Sequence, residues 1–103
     1  VPSHVDEFQL ARLTPVPCRL IACNRVGESP AVLECRHFKT VDLPDDEGRV
    51  SDFLIIGRVV GVHIDDRYIV DGRVQTAAMK PIARLGYAEY ATVEEAWRMR
   101  RPD

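Results

Sequence analysis

Phe53-Leu54-Ile55-Ile56-Gly57-Arg58-Val59-Val60-Gly61-Val62-His63-Ile64 is long, apolar and rich in β-branched residues, the composition of a strand. Gly57 and Gly61 interrupt it, which calls for a bend, a bulge or a close approach of another part of the chain. Upstream, Ala31 to Leu43 alternates. Val32, Glu34, Arg36, Phe38 and Thr40 fall on one face, and Leu33, Cys35, His37, Lys39 and Val41 on the other. Between the two runs, Pro44-Asp45-Asp46-Glu47-Gly48-Arg49 has the charge and glycine of a solvent-facing turn. Two long strands joined by so short a connection pair antiparallel.

The flanks are less regular. After a loose lead-in at residues 1–4, Val5 to Leu13, with apolar Val5, Phe8, Leu10 and Leu13 at mixed spacing and acidic residues at its start, fits one or two turns of helix. Thr14-Pro15-Val16-Pro17 ends that helix. Cys18 to Cys23 is short and apolar and reads as a strand, and Asn24 to Pro30 as a connection. Downstream, Asp71-Gly72 is a turn dipeptide, and Thr76 to Lys80 a helical turn before Pro81. Ala83 to Val93 reads as a loop leading into a last strand. Thr92, with Glu95 three residues on, is placed to cap a C-terminal helix containing Trp97, a packing anchor. Four strands with small helical insertions make a β-rich domain.

At 103 residues the chain is one domain at most, with a modest core expected. Its net charge of -2 gives no basic field for nucleic acid or an anionic membrane. The short basic cluster Arg98, Arg100 and Arg101 is a solvated tail. No apolar run has the length of a membrane span. The chain opens at Val1 without methionine, as a trimmed or processed chain would, and its first residues do not read as a secretion signal. Three cysteines with no such signal point to reduced thiols in a cytoplasmic protein. Cys18, Cys23, Cys35 and His37 are soft donors, but the spacing is wider than that of zinc knuckles, so small buried thiols are the better reading and no metal is expected. No nucleophile–base pair and no glycine-rich phosphate loop can be named.

Further segments carry information through their order. Val5-Asp6-Glu7-Phe8-Gln9-Leu10-Ala11-Arg12-Leu13-Thr14 comes first, then Glu28-Ser29-Pro30 with Leu33-Glu34-Cys35. Ile56 to Ile64, Asp71-Gly72-Arg73-Val74 and Ala83-Arg84-Leu85-Gly86-Tyr87-Ala88-Glu89-Tyr90 follow. Together they resemble the flavin reductase-like family of FMN-binding split barrels. The resemblance implies an antiparallel Greek-key split barrel that dimerises and holds a flavin near the dimer interface. Family members are roughly twice as long, so residues 1–103 correspond to the C-terminal portion of one such domain, incomplete as a catalyst by itself.

The resemblance also assigns candidate cofactor contacts. Arg84 suits phosphate or ring carbonyls, because its planar fork donates to planar acceptors. Gly86, an ordinary loop glycine at positive φ on the bland reading, would let the backbone approach the flavin. Tyr87, where many members have a glycine, would stack on the ring, and Tyr90 would border it or pack in the core. Ser29 would close the site or cap local backbone, as would Glu28. His63 matches a family position, and hydride transfer needs no general base, so a hydrogen-bonded histidine is favoured over a catalytic one. The implied activity is hydride transfer from NADH or NADPH to FMN, with FAD as the alternative flavin. The reduced flavin would pass to a flavin-dependent monooxygenase or another acceptor. The rival expectation is a non-catalytic flavin-binding or dimerisation module.

Overall fold

The computed structural model describes residues 2–102; Val1 and Asp103 lie outside the described residues. The chain is strand-rich with little helix, and its strands form consecutive two-stranded hairpins. Two compact units divide at His63 and Ile64.

In the first unit, helix α1 spans Glu7–Ala11. Asp6 caps it by accepting the Phe8 N–H at 2.9 Å. It stops at Arg12, which sits in the left-handed region at φ 58°. Strands β1 (Pro15–Pro17) and β2 (Asn24–Val26) pair antiparallel, with Val16 opposite Arg25. Backbone bonds from Gly27 N to Thr14 O (2.8 Å) and from Cys18 N to Cys23 O (2.9 Å) continue that register at both ends. Pro15 and Pro17 therefore fall on the alternate positions, where a missing N–H costs no ladder bond. This corrects the sequence expectation for residues 14–30. The prolines lie within a strand, and Cys18 to Cys23 is the loop of the hairpin rather than a strand of its own.

Strands β3 (Ala31–Pro44) and β4 (Val50–Ile64) form the long hairpin expected of them. In the turn at residues 45–49, Asp45 N donates to Arg49 O (2.8 Å), and Asp45 Oδ1 accepts from Glu47 N and Arg49 N at 2.9 Å each. Gly48 supplies the positive φ of 81° that the turn requires. On one face the Arg58 guanidinium lies 5.0 Å from the centre of the Phe38 ring.

In the second unit a 3₁₀ turn at Asp66–Tyr68 is capped by Asp65. Strands β5 (Ile69–Val70) and β6 (Arg73–Val74) follow, joined by Asp71 and Gly72. Both turn residues have positive φ (52° and 74°), the signature of the tight hairpin turn that suits twisted strands. A 3₁₀ turn at Ala77–Met79 precedes Pro81 as expected. Strands β7 (Ile82–Arg84) and β8 (Tyr90–Thr92) close the unit as an antiparallel pair. The described residues thus form eight strands, where four were expected.

The C-terminal helix does not form. Residues 93–102 have no regular structure, and Trp97 is 77% exposed rather than an anchor. A short segment that packs on nothing among the described residues does not offset the cost of helix nucleation. The expected core is also missing. Among the described residues no apolar side chain is fully buried; only Glu34 is. Two-stranded sheets leave both faces open, and Leu33, Phe38, Phe53, Leu54 and Ile55 of the long hairpin are exposed. No helix among the described residues is long and apolar enough to cross a membrane.

Candidate functional site

The most constrained side chain is Glu34 on β3, with 0% of its surface exposed. The loop between β1 and β2 turns its backbone donors onto it. Arg19 N–H donates to Oε2 at 3.0 Å and Leu20 N–H to Oε1 at 2.8 Å. From β4, His63 Nε2 pairs with Oε2, its side chain 21% exposed. Arg36 reaches back from β3 to donate to the Leu20 carbonyl at 3.0 Å, which fixes the loop from its other side. Gly61 explains how the loop comes so close. A Cβ there would stand 3.2 Å from Leu20 Cδ1 and 3.4 Å from Glu34 Cβ, so the missing side chain is the space the loop occupies. Arg19, Leu20, Glu34, Gly61, Val62 and His63 line a cavity of about 250 Å³.

Three hydrogen bonds to one carboxylate favour its charged form. The Arg19 amide is the largest influence, followed by the His63 ring and the Leu20 amide, and they outweigh burial to bring the Glu34 pKa down to about 2. Glu28 shows a weaker version of the same effect. Its carboxylate accepts the Thr14 N–H at 2.7 Å, which lowers its pKa, and so ties the end of α1 to the β2–β3 connection. Ser29 donates its hydroxyl to Ala31 O at 2.8 Å, a local cap within that connection.

In the second unit, Arg84 and Tyr90 are direct partners in the β7–β8 register. Arg84 Nη1 donates to the Tyr90 hydroxyl at 3.2 Å, and the guanidinium carbon lies 5.6 Å from the ring centre. Arg84 makes no ion pair among the described residues, so most of its fork is free to donate. Tyr90 is exposed in this chain. Gly86 and Tyr87 occupy the turn, where Glu89 N–H donates to Gly86 O at 3.1 Å. The residue at positive φ is Tyr87 (56°), not Gly86, and its ring is 96% exposed. A Cβ on Gly86 would meet nothing within 4 Å, so no neighbour within the chain demands a glycine there.

The six sequence-named residues therefore fall into two groups. Arg84, Gly86, Tyr87 and Tyr90 gather on one hairpin; His63 and Ser29 belong to the other unit and make separate contacts. Glu34, the partner of His63, stands in the sequence within the Leu33-Glu34-Cys35 stretch. A carboxylate on the long strand, facing a glycine on the neighbouring strand that admits a covering loop, is the signal that could have found it. Cys35 and His37 contact other groups than Cys18 and Cys23, with His37 Nε2 2.7 Å from Thr40 Oγ1. The thiols are not the buried ones expected, since Cys18 is half-buried and Cys23 and Cys35 are exposed in open two-stranded hairpins.

Comparison with known proteins places this geometry. The structural neighbours of the chain are flavin reductase-like split-barrel proteins, of which it covers about half. Nitrilotriacetate monooxygenase component B from Bacillus cereus is 31% identical, with a TM-score of 0.84 over 96% of this chain and 49% of that one. The Pseudomonas fluorescens 2-nitrobenzoate 2-nitroreductase NbaA shares the fold at 21% identity and a TM-score of 0.77, over 98% of this chain and 50% of its own. A Shewanella frigidimarina protein with a split-barrel domain, assigned as a flavin reductase, does so at 22% and 0.78, over 99% and 50%. An uncharacterised protein of Halalkalibacterium halodurans is 30% identical over 99% of this chain and 49% of its own length. One from Bacillus subtilis is 32% identical over 94% and 49%. The chain thus spans about half the length of the curated relatives it matches. No family model matches it.

Proposed function

We propose that this chain is the C-terminal portion of a flavin reductase-like domain that binds FMN and takes a hydride onto it from NADH or NADPH. The observation that carries this reading is the likeness to nitrilotriacetate monooxygenase component B along almost the whole chain. The donor set on the β7–β8 hairpin fits a flavin. Arg84 offers planar N–H donors for a phosphate or the ring carbonyls, and the exposed Tyr87 offers a flat apolar face. Tyr90 would hold the Arg84 fork in place through its hydroxyl. The bound flavin would supply the hydride chemistry; the chain's own part is to bind, orient and border it. Glu34 and His63 would hold the β1–β2 loop against β4 and so keep the shape of the first unit, with no proton transfer asked of His63.

Reduced flavin would then serve a monooxygenase component in the cytoplasm, in line with the first neighbour's name and the three free cysteines. A second reading, a dimerisation or flavin-storage module without turnover, is favoured by the exposed apolar hairpin, because such surfaces and open strand edges seek partners. Both readings call for a homodimer. The intact protein purified with FMN should oxidise NADH or NADPH with flavin reduction visible as bleaching. Flavin retained without bleaching by either nucleotide would favour the storage module, and failure to retain flavin would overturn the reductase and storage readings and leave only dimerisation.

A further inference from the structure

We propose that Cys18 and Cys23 form a reversible redox dithiol, which a hydroperoxide oxidises to a disulfide that braces the loop holding Glu34. The two cysteines are the pair that follows Pro17 and Asn24 in the β1–β2 register, and the Cys18 N–H bonds the Cys23 carbonyl at 2.9 Å. Directly opposed residues joined in this way have Cα atoms about 5.5 Å apart and side chains on one face. That separation lies inside the range a disulfide spans. Their sulfurs are already in contact, at 3.9 Å. Neither is tied up elsewhere: both are free, Cys23 is exposed and Cys18 half-buried. Between them lie Arg19 and Leu20, the two residues whose amides hold the Glu34 carboxylate. The inference rests on no part of the flavin reading.

Exposure makes Cys23 the first sulfur to react. Burial, ahead of the contact with Cys23, pushes the Cys18 thiol up, so it holds less thiolate and reacts second, on the sulfenic acid beside it. In the first step Cys23 Sγ forms a bond to one peroxide oxygen as the O–O bond breaks. Sulfur is oxidised to a sulfenic acid, and the other oxygen leaves with the thiol proton, as water from hydrogen peroxide or as an alcohol from an organic hydroperoxide. In the second step Cys18 Sγ attacks Cys23 Sγ. The S–S bond forms, the S–O bond breaks, and hydroxide leaves as water with the Cys18 proton. A disulfide this accessible is reopened by a small dithiol.

The test is peptide mapping of the intact protein after hydrogen peroxide and then iodoacetamide. Trypsin cleaves at Arg19, between the two cysteines, so the disulfide links peptides 13–19 and 20–25. The expected result is that linked pair, abolished by dithiothreitol, with Cys35 still alkylated. The Cys35→Ser protein should give the same pair. Full alkylation of Cys18 and Cys23 after peroxide, or linkage of either to Cys35, would overturn the proposal. Amide hydrogen exchange at Arg19 and Leu20, followed by NMR, should be slower in the oxidised than in the reduced protein; unchanged exchange would overturn the bracing.

Discussion

Glu34 is a carboxylate without solvent access that keeps its charge because two amides and a histidine are aimed at it. Its folded pKa, about 2, lies below the ordinary 4.5. The unfolded chain therefore binds the proton more readily, and the stability this site contributes is complete above pH 4.5 and is lost as pH falls toward 2. Glu34→Gln should remove that part of the acid dependence and lower the denaturation midpoint at neutral pH. Urea titrations from pH 7 to about 2.5 would check it, and an unchanged acid slope would contradict it. Tyr87 poses the opposite case, a bulky residue in the left-handed region at φ 56° with its ring in solvent. Tyr87→Gly should stabilise the fold by about 1 kcal/mol by relieving the left-handed strain, and under the proposed flavin contact it should also weaken flavin binding. A variant that gained stability with unchanged flavin affinity would show Tyr87 to be incidental.

Among the elements, the hairpins depend on a few backbone positions. Gly72→Val should cost about 1 to 2 kcal/mol, because φ at 74° crowds any Cβ against the carbonyl. Gly61→Val should cost about 1 to 3 kcal/mol for a different reason, since its side chain would push on Leu20 and Glu34. Chemical denaturation measures both, and only Gly61→Val should also raise the Glu34 pKa. The long hairpin was legible in the sequence because β-branched residues and a charged turn with Gly48 state it locally. The Asp71-Gly72 turn was legible for the same reason. The β1–β2 hairpin was not, because Pro15 and Pro17 read as breakers unless their alternation with the bonded positions is known. The C-terminal helix was misread because a cap signal at Thr92 and Glu95 says nothing about whether Trp97 has a surface to bury against. Arg84 and Tyr90 were named individually, but their pairing needed the β7–β8 register. The Glu34–His63 pair joins residues too far apart in sequence for any periodicity to show.

For the molecule as a whole, the fully buried side chain is a carboxylate while large apolar residues along β3 and β4 stay open; Ile55 is 69% exposed. Surface of this kind is covered in a working protein, and the chain matches only half the length of its relatives. Residues 1–103 expressed alone should bind a hydrophobic dye strongly, and the intact protein should bind it weakly per mole of this chain. Equal binding would mean that nothing covers the hairpin. The central claim is that the β7–β8 hairpin contributes to a flavin site, and the most direct measurement is an FMN titration of the intact protein and of its Arg84→Ala variant, followed by flavin fluorescence. The expected result is saturable binding by the intact protein, weakened roughly tenfold or more in the variant, as loss of a charge-assisted hydrogen bond requires. Absence of FMN binding, or the same affinity in both proteins, would contradict it.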